Sequence, residues 1–286
     1  MLNLTRIGEN YSVSSLAEAA QRVRGRLLRL ARARDTLGLR FAVIPGDAIS
    51  DLIVSNGLYE KEYLLPLAAI FESNAAHFAA SRALDVGANI GNHACFLARF
   101  FAEVIAFEPG PTAYHLLRGN IGLNRLGNVV AVQKGLGDRS ATVSFRENRD
   151  GNLGDSYLVA NGEGTEYVEI VRGDDYLRSR PDSRPVAFIK IDVQGHEKNV
   201  IAGLFDTIVR DRPIIQLENP ADPAQSPLGL LEQLGIYDFY VYDEAQNRFK
   251  SPSLRRLTRI LANRVRIVKY EGGAAYHDIL AIPRSQ

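Results

Sequence analysis

The chain has 286 residues, 46% of them hydrophobic, enough for one large domain, or a domain with an appendage, around a buried core. Its formal net charge of +1 excludes a global electrostatic pull toward nucleic acid, so such a pull would need a local patch. A single cysteine, Cys95, excludes an internal disulfide and a cysteine-based zinc site. The opening residues have no apolar run of the kind a signal peptide needs, and no stretch approaches the roughly 20 apolar residues of a membrane span. The expectation is therefore a cytoplasmic protein.

Residues 14–36 predict a helix. Ser14 or Ser15 can cap it, and Leu16, Ala20, Val23, Leu27, Leu30 and Ala33 form one apolar stripe. Arg22, Arg24, Arg26, Arg29, Arg32 and Arg34 lie along the same segment. A basic amphipathic helix can meet a membrane surface or an acidic partner. The small alanines and the lack of Trp and Phe favour instead a helix packed on the core or on a second copy, as in a homodimer. Residues 39–44 are β-prone and end at the turn pair Pro45-Gly46. Residues 48–54 are a short apolar piece. Residues 58–80 read as helical, with Leu64, Leu67, Ala68 and Phe71 inward, and Pro66 as a kink or the first turn of a helix starting there. Residues 1–80 are thus expected to be a helical appendage and lid-like segment beside a domain of residues 81–286.

From Arg82 onward strands alternate with helices. Strands are expected at 83–86, 104–107, 129–133, 188–193, 214–217, 239–242 and 279–282, and helices at 93–101, 112–124, after 193 and near 227–234. Residues 142–145 and 167–171 flank a Gly/Asn-rich stretch, 148–164, that reads as an insertion with a mobile tip. The alternation predicts an α/β fold, a mostly parallel sheet with helices on both faces. Ligands of such sheets lie beyond the carboxyl ends of the strands, where strand order reverses.

Asp85-Val86-Gly87-Ala88-Asn89-Ile90-Gly91 follows the first of these strands. Its two glycines let the backbone turn tightly and approach a ligand. Glu108 ends the next strand, about twenty residues on, where a carboxylate can take both hydroxyls of a ribose. An adenosine-containing ligand follows. The spacing Gly87-x-x-x-Gly91 departs from the G-x-G-x-x-G dinucleotide fingerprint. A carboxylate at Asp85 would repel a pyrophosphate but suit the ammonium and sulfonium charges of S-adenosyl-L-methionine. That cofactor is favoured over NAD; the bland alternative is that Asp85 caps a helix and Gly87 makes a turn.

With these motifs in view, the sequence resembles the FkbM-type methyltransferases over roughly residues 57–220. The resemblance rests on Gly57-Leu58-Tyr59-Glu60, the Asp85–Gly91 loop, Phe107-Glu108-Pro109, and Ile189-Lys190-Ile191-Asp192-Val193-Gln194-Gly195-His196-Glu197. It implies a Rossmann-like sheet of seven strands with the last antiparallel, and methylation of an oxygen in sugar or natural-product tailoring. By motif position, Asp85, Gly87, Ala88, Asn89 and Gly91 would hold the amino-acid part of S-adenosyl-L-methionine, and Glu108, followed by Pro109, its ribose. The family usually carries glutamate where this chain has Gln194.

Methyl transfer is an in-line displacement, so the enzyme chiefly positions two reactants. A hydroxyl acceptor also needs a base or a cation. His196, after a strand and the flexible Gly195, is the candidate base, with Asp192 or Glu197 orienting it. The alternative for His196 and Glu197 is that they open the next helix. Glu218 and Asn219 end the following strand and can reach the acceptor or join Asp192 on a magnesium ion, although no metal-ligand spacing is present. Asp138, after the third strand, can read the adenine amino group or simply make a turn. His77, His93 and His115 are read as structural, and Cys95 as a small buried residue.

The leading expectation is an O-methyltransferase acting on a saccharide or other small molecule. The competitors are an NAD-dependent oxidoreductase and a non-catalytic adenosyl-binding scaffold of the same fold. Nucleic-acid methylation is disfavoured by the near-neutral charge and the absence of basic stretches rich in aromatics, with the arginine-rich segment keeping it open.

Overall fold

The computed structural model describes residues 36–148, 151–159, 164, 166–219, 226–244, 265–270 and 278–284. Nearly all of the arginine-rich 14–36 segment lies outside them. Twelve strands are described: β1 (Arg82–Val86), β2 (Glu103–Phe107), β3 (Val129–Val132), β4 (Gly135–Gly137), β5 (Ala141–Arg146), β6 (Tyr157–Val159), β7 (Glu166–Arg172), β8 (Val186–Ile191), β9 (Ile214–Glu218), β10 (Tyr237–Glu244), β11 (Val265–Lys269) and β12 (Asp278–Pro283).

Eight of them form the main sheet, in the order β11-β10-β12-β9-β8-β1-β2-β3. The block from β9 to β3 is parallel, and β12 runs antiparallel between β9 and β10. The resemblance implied seven strands; β11 is an eighth, paired antiparallel to β10 at the edge. Strand order reverses between β1 and β8, so the carboxyl ends of those two strands mark the ligand crevice.

Period-two alternation splits the core into two layers. Leu84, Val86, Ile105, Phe107, Ile189 and Ile191 face one layer, with Val200, Ile201 and Ile208 of the following helices. Ala83, Val104, Ala106 and Phe188 face the other, with Cys95, Phe96 and Phe101. Leu58, Leu64, Leu67 and Phe71 pack into that second layer, so the described part of the N-terminal segment shares the core of the sheet. Phe71 stands 5.2 Å from Phe188, ring to ring and edge-on.

Local chemistry changes several expectations. The β-prone residues 39–44 form no strand. Their backbone pairs with side-chain amides of the helix Pro111–Leu123 and its cap: Arg40 N donates to Asn124 Oδ1 at 2.8 Å and Ala42 N to Asn120 Oδ1 at 2.6 Å. The apolar 48–54 piece is part of the helix Ala48–Asn56, capped by Asp47, whose Oδ2 accepts from Ser50 N at 2.8 Å. Pro66 sits inside the helix Lys61–Ser73 rather than in its first turn. The described residues of the insertion hold a short 3-10 turn, Leu153–Asp155, and β6, which pairs with β5 in a second sheet of order β4-β7-β5-β6. No helix among the described residues is long and apolar enough to cross a membrane.

Candidate functional site

Two rows of polar side chains project from one face at the carboxyl ends of the central strands. Parallel pairing puts Asp85 of β1 beside Lys190 of β8, and Lys190 beside Gln216 of β9. Two residues on, alternation brings Asp192 and Glu218 to the same face, and Glu218 pairs with Asp278 of β12. Lys190 is buried at 4% exposure. An isolated buried ammonium is very costly, so it must be paired. Its Nζ donates to Asp192 Oδ2 at 3.0 Å. Burial works against its charge, but Asp192, Asp85 and Glu60 outweigh that and hold its pKa above the ordinary lysine value. Among the other carboxyls, burial first and then Asp192 raise Glu218 to about 8, and burial first and then Glu60 raise Asp278 to about 7.

Above these rows lies a cavity of about 290 Å³. Its wall is formed by Val86 to Ile90 of the glycine loop, Glu108 and Pro109 after β2, and Gly135 and Leu136 of β4. Lys190, Asp192, Val193, Gln194, His196 and Glu218 line it as well. Ile49 and Tyr59 from the N-terminal segment and residues 152–158 of the insertion complete it. Those last two parts are tied together: Asp47 Oδ1 accepts from Leu153 N at 2.8 Å, and Ala48 N donates to the Gly151 carbonyl at 3.0 Å.

The glycine loop is shaped by close approach. Gly87 has φ +82°, and a Cβ there would collide with the carbonyl of Asp192. Gly91, with φ +90°, precedes the helix Asn92–Leu97, and a Cβ there would lie 2.6 Å from Leu117 Cδ1. Asn89 is also left-handed, at φ +49°, and its Oδ1 accepts from Ile90 N at 2.7 Å. Glu108 grips this loop. Its Oε2 accepts from Asn89 N and its Oε1 from Gly110 N, both at 2.8 Å. Burial raises its carboxyl to about 7, against the pull of those two amides.

The sequence-derived residues divide in this frame. Gly87, Ala88, Asn89, Glu108, Pro109, Asp192, His196 and Glu218 meet at the cavity. Asp85 does not line it; fully buried beneath the loop, it acts on Lys190, and burial raises its own carboxyl. Gly91 shapes the loop from outside the wall. Asp138 is likewise outside the wall, with Asn199 Nδ2 3.4 Å from its Oδ1. Glu197 is withdrawn into the protein. Its Oε1 accepts from Val193 N at 3.2 Å and Gly195 N at 3.1 Å, pinning the turn that carries Gln194. Asp192 is tied to Lys190 and to Gln194, whose Nε2 is 3.2 Å from Asp192 Oδ1. The carboxylates acting on His196 are Asp138 and Glu197, while burial lowers its pKa and favours the neutral ring.

Lys190, Tyr59 and His93 are wall residues that the sequence reading did not single out as site residues. His93, expected to be structural, lines the cavity with its Nε2 3.2 Å from Glu60 Oε2. Although burial opposes it, that contact with His93, aided by Lys190, holds Glu60 down at about 2. Asn92 fixes Tyr59 through both backbone groups: Tyr59 N donates to Asn92 Oδ1 at 3.0 Å, and Asn92 Nδ2 donates to the Tyr59 carbonyl at 2.9 Å. The one sequence signal for Lys190 was a lysine in an otherwise apolar strand, a position that demands a buried partner. Among the described residues, no group of three or more His, Cys, Asp and Glu is arranged to hold a metal ion.

The chain is 32% identical over 146 residues to the hexuronic acid methyltransferase AglP of Haloferax volcanii, covering 49% of this chain and 56% of that protein. It is 29% identical over 150 residues to the 2-O-methyltransferase NoeI of Sinorhizobium fredii, covering 45% and 59% respectively. The matched region therefore spans little more than half the length of either relative. Among solved structures, the methyltransferase FkbM from Methylobacillus flagellatus aligns with a TM-score of 0.44 at 13% identity, over 71% of this chain and 43% of that one. The sequence pattern described as the methyltransferase FkbM domain matches residues 85–248, more than half of the chain. The chain belongs to the FkbM methyltransferase domain family.

Proposed function

We propose that this protein is an S-adenosyl-L-methionine-dependent O-methyltransferase whose acceptor is a hydroxyl of a saccharide or natural-product small molecule. The observation that carries the reading is one cavity lined both by the glycine loop and Glu108 and by Lys190, Asp192, His196 and Glu218. The names of the two relatives, a hexuronic acid methyltransferase and a 2-O-methyltransferase, support an oxygen on a sugar.

The residues present fit the cofactor. Glu108 lines the cavity with both oxygens already oriented by amides, and each keeps a lone pair for a ribose hydroxyl. Gly87 lets the loop lie directly against the Asp192 carbonyl, where a Cβ would collide. When bound, S-adenosyl-L-methionine supplies a methyl group on a positively charged sulfur, a leaving group that needs no acid. Asp192, held by Lys190 and Gln194, accepts a hydrogen bond from the acceptor and fixes its orientation. His196 takes the hydroxyl proton, its ring kept neutral by burial. Asp138 and Glu197, rather than Asp192, are the carboxylates that favour the imidazolium once formed. Lys190 keeps the negative charge of Asp192 and Asp85 tolerable in the interior.

Calorimetric titration with S-adenosylhomocysteine and, separately, NAD tests the reading. Binding of the first only, weakened in E108A, is expected. Binding of NAD instead, or of neither by folded protein, overturns it.

A further inference from the structure

The turn Gly57-Leu58-Tyr59-Glu60 joins the helices Ala48–Asn56 and Lys61–Ser73 and carries Tyr59 into the cavity wall. Each of its residues is constrained. Gly57, at φ +89°, ends the first helix, and Leu58 is fully buried in the core. Glu60 is left-handed at φ +52°, a conformation that is costly for a residue with a Cβ. Its carboxylate is nevertheless held inside, with Oε2 3.2 Å from His93 Nε2. Tyr59 is clamped through its N–H and its carbonyl by Asn92, and its ring stands edge-on to His93 with centroids 6.4 Å apart. Asn92 and His93 open the helix that follows Gly91, so Tyr59 is fixed to the glycine loop. Strain kept in a turn that lines a cavity points to a function for that turn.

Tyr59 also faces the other group of wall residues. Asp192 and Lys190 both act on its hydroxyl, and burial, with Glu60 and Asp192 after it, raises the phenol pKa and keeps the ring neutral. Tyr59 is thus coupled both to the glycine-loop helix and to the residues read as meeting the acceptor. With the amino-acid part of the cofactor on the glycine loop and its ribose on Glu108, the sulfur joins those two parts and its methyl group points to the acceptor. The sulfur therefore lies where these groups of residues meet.

A sulfonium has no N–H or O–H to donate, so it is recognised by its charge. Asp192 is balanced by Lys190, and Glu218, raised to about 8 by burial and then by Asp192, keeps its proton near neutral pH. A neutral aromatic face attracts a cation through the ring quadrupole and needs no counter-charge. We infer, on the methyltransferase reading above, that Tyr59 is a cofactor-binding residue whose ring face receives the sulfonium of S-adenosyl-L-methionine. Transfer of the methyl group leaves an uncharged sulfide, so the same contact favours the substrate form over S-adenosylhomocysteine.

The test is calorimetry on the full chain with S-adenosyl-L-methionine, S-adenosylhomocysteine and sinefungin, which carries an ammonium-bearing carbon in place of the sulfonium. In Y59L the affinity for S-adenosyl-L-methionine relative to S-adenosylhomocysteine is expected to fall by about tenfold, and that for sinefungin to fall with it. Y59F keeps the ring and should hold both ratios within about twofold. 3,4,5-Trifluorophenylalanine at position 59 has the shape of Phe but an electron-poor face, and it should lower both ratios even where Leu disturbs the fold. Equal loss of all three ligands by folded Y59L, unchanged ratios in the trifluoro variant, or a loss in Y59F as large as in Y59L overturns the inference. A ratio that falls for S-adenosyl-L-methionine but not for sinefungin also overturns it, because the wall then reads the methyl group and not the charge. Wild-type protein that binds none of the three overturns the methyltransferase reading, and the inference with it.

Discussion

Acidifying the protein from about pH 8 to about pH 5 should weaken S-adenosylhomocysteine binding by roughly 100-fold, through Glu108 alone. Burial raises this carboxyl to about 7, and Asn89 and Gly110 donate to it in its ionised form. Two ribose hydroxyls would donate to the same form. Each pH unit below that pKa then removes about tenfold of the binding-competent carboxylate, or ~1.4 kcal/mol. The sign for stability is opposite. Because the folded-state pKa is raised, Glu108 contributes stability that is fully present below the ordinary glutamate pKa and is lost as pH rises through about 7. The ligand-free protein should therefore lose stability across the window in which affinity grows. Calorimetry in buffers of differing ionisation enthalpy should show about one proton released per ligand near pH 6, and none near pH 8. In E108Q the carboxyl no longer titrates, and one backbone amide loses its acceptor. Affinity should fall and become flat with pH, with a stability loss of about 1.5–3 kcal/mol for one hydrogen bond to a charged group. A wild-type affinity independent of pH, or the same slope in E108Q, would refute the reasoning.

Other perturbations follow from the same geometry. G87A should cost about 2–5 kcal/mol in urea unfolding, because it adds a left-handed penalty to a collision with the Asp192 carbonyl; a loss under about 1 kcal/mol would mean that the loop is not so closely packed. H196A should lower turnover at saturating acceptor by about 100-fold or more while leaving S-adenosylhomocysteine affinity nearly unchanged; unchanged turnover removes His196 as the base. D47A removes the acceptor of both Ser50 N and Leu153 N, so it should cost about 2–4 kcal/mol. Hydrogen exchange at Leu153 should rise in the same variant, and unaltered exchange there would dissociate Asp47 from the insertion. K190M leaves Asp192, Asp85 and Glu60 without their shared cation and should destabilise by about 3–5 kcal/mol near pH 8. The K190M loss should shrink near pH 5, where protons can replace the ammonium; a loss independent of pH would point to packing rather than charge.

Sequence alone determined the parts of this protein governed by local rules. Period-two runs such as Ile189-Lys190-Ile191 and the glycine spacing of residues 87–91 specify strand, turn and helix within a few residues, and the order of those elements selects a parallel sheet. The place of Glu108 in the cavity wall was legible because it follows from distance along the chain from the loop. The outcome at residues 39–44 was not legible, because the partners that satisfy that backbone are Asn120 and Asn124, some eighty residues away. The same holds for Glu197, whose carboxylate could face the cavity or the turn; the backbone amides of Val193 and Gly195 decide for the turn. Asp192 was placed correctly at a strand end but given the wrong partner, since only the register of β1, β8 and β9 shows that Asp85, Lys190 and Gln216 share one row. His93 and Tyr59 joined the wall through Glu60 and Asn92, contacts between an N-terminal segment and the first helix after the glycine loop. Side-chain pairing across distant elements sets the charge of the cavity, and it depends on burial and register, which the folded chain supplies.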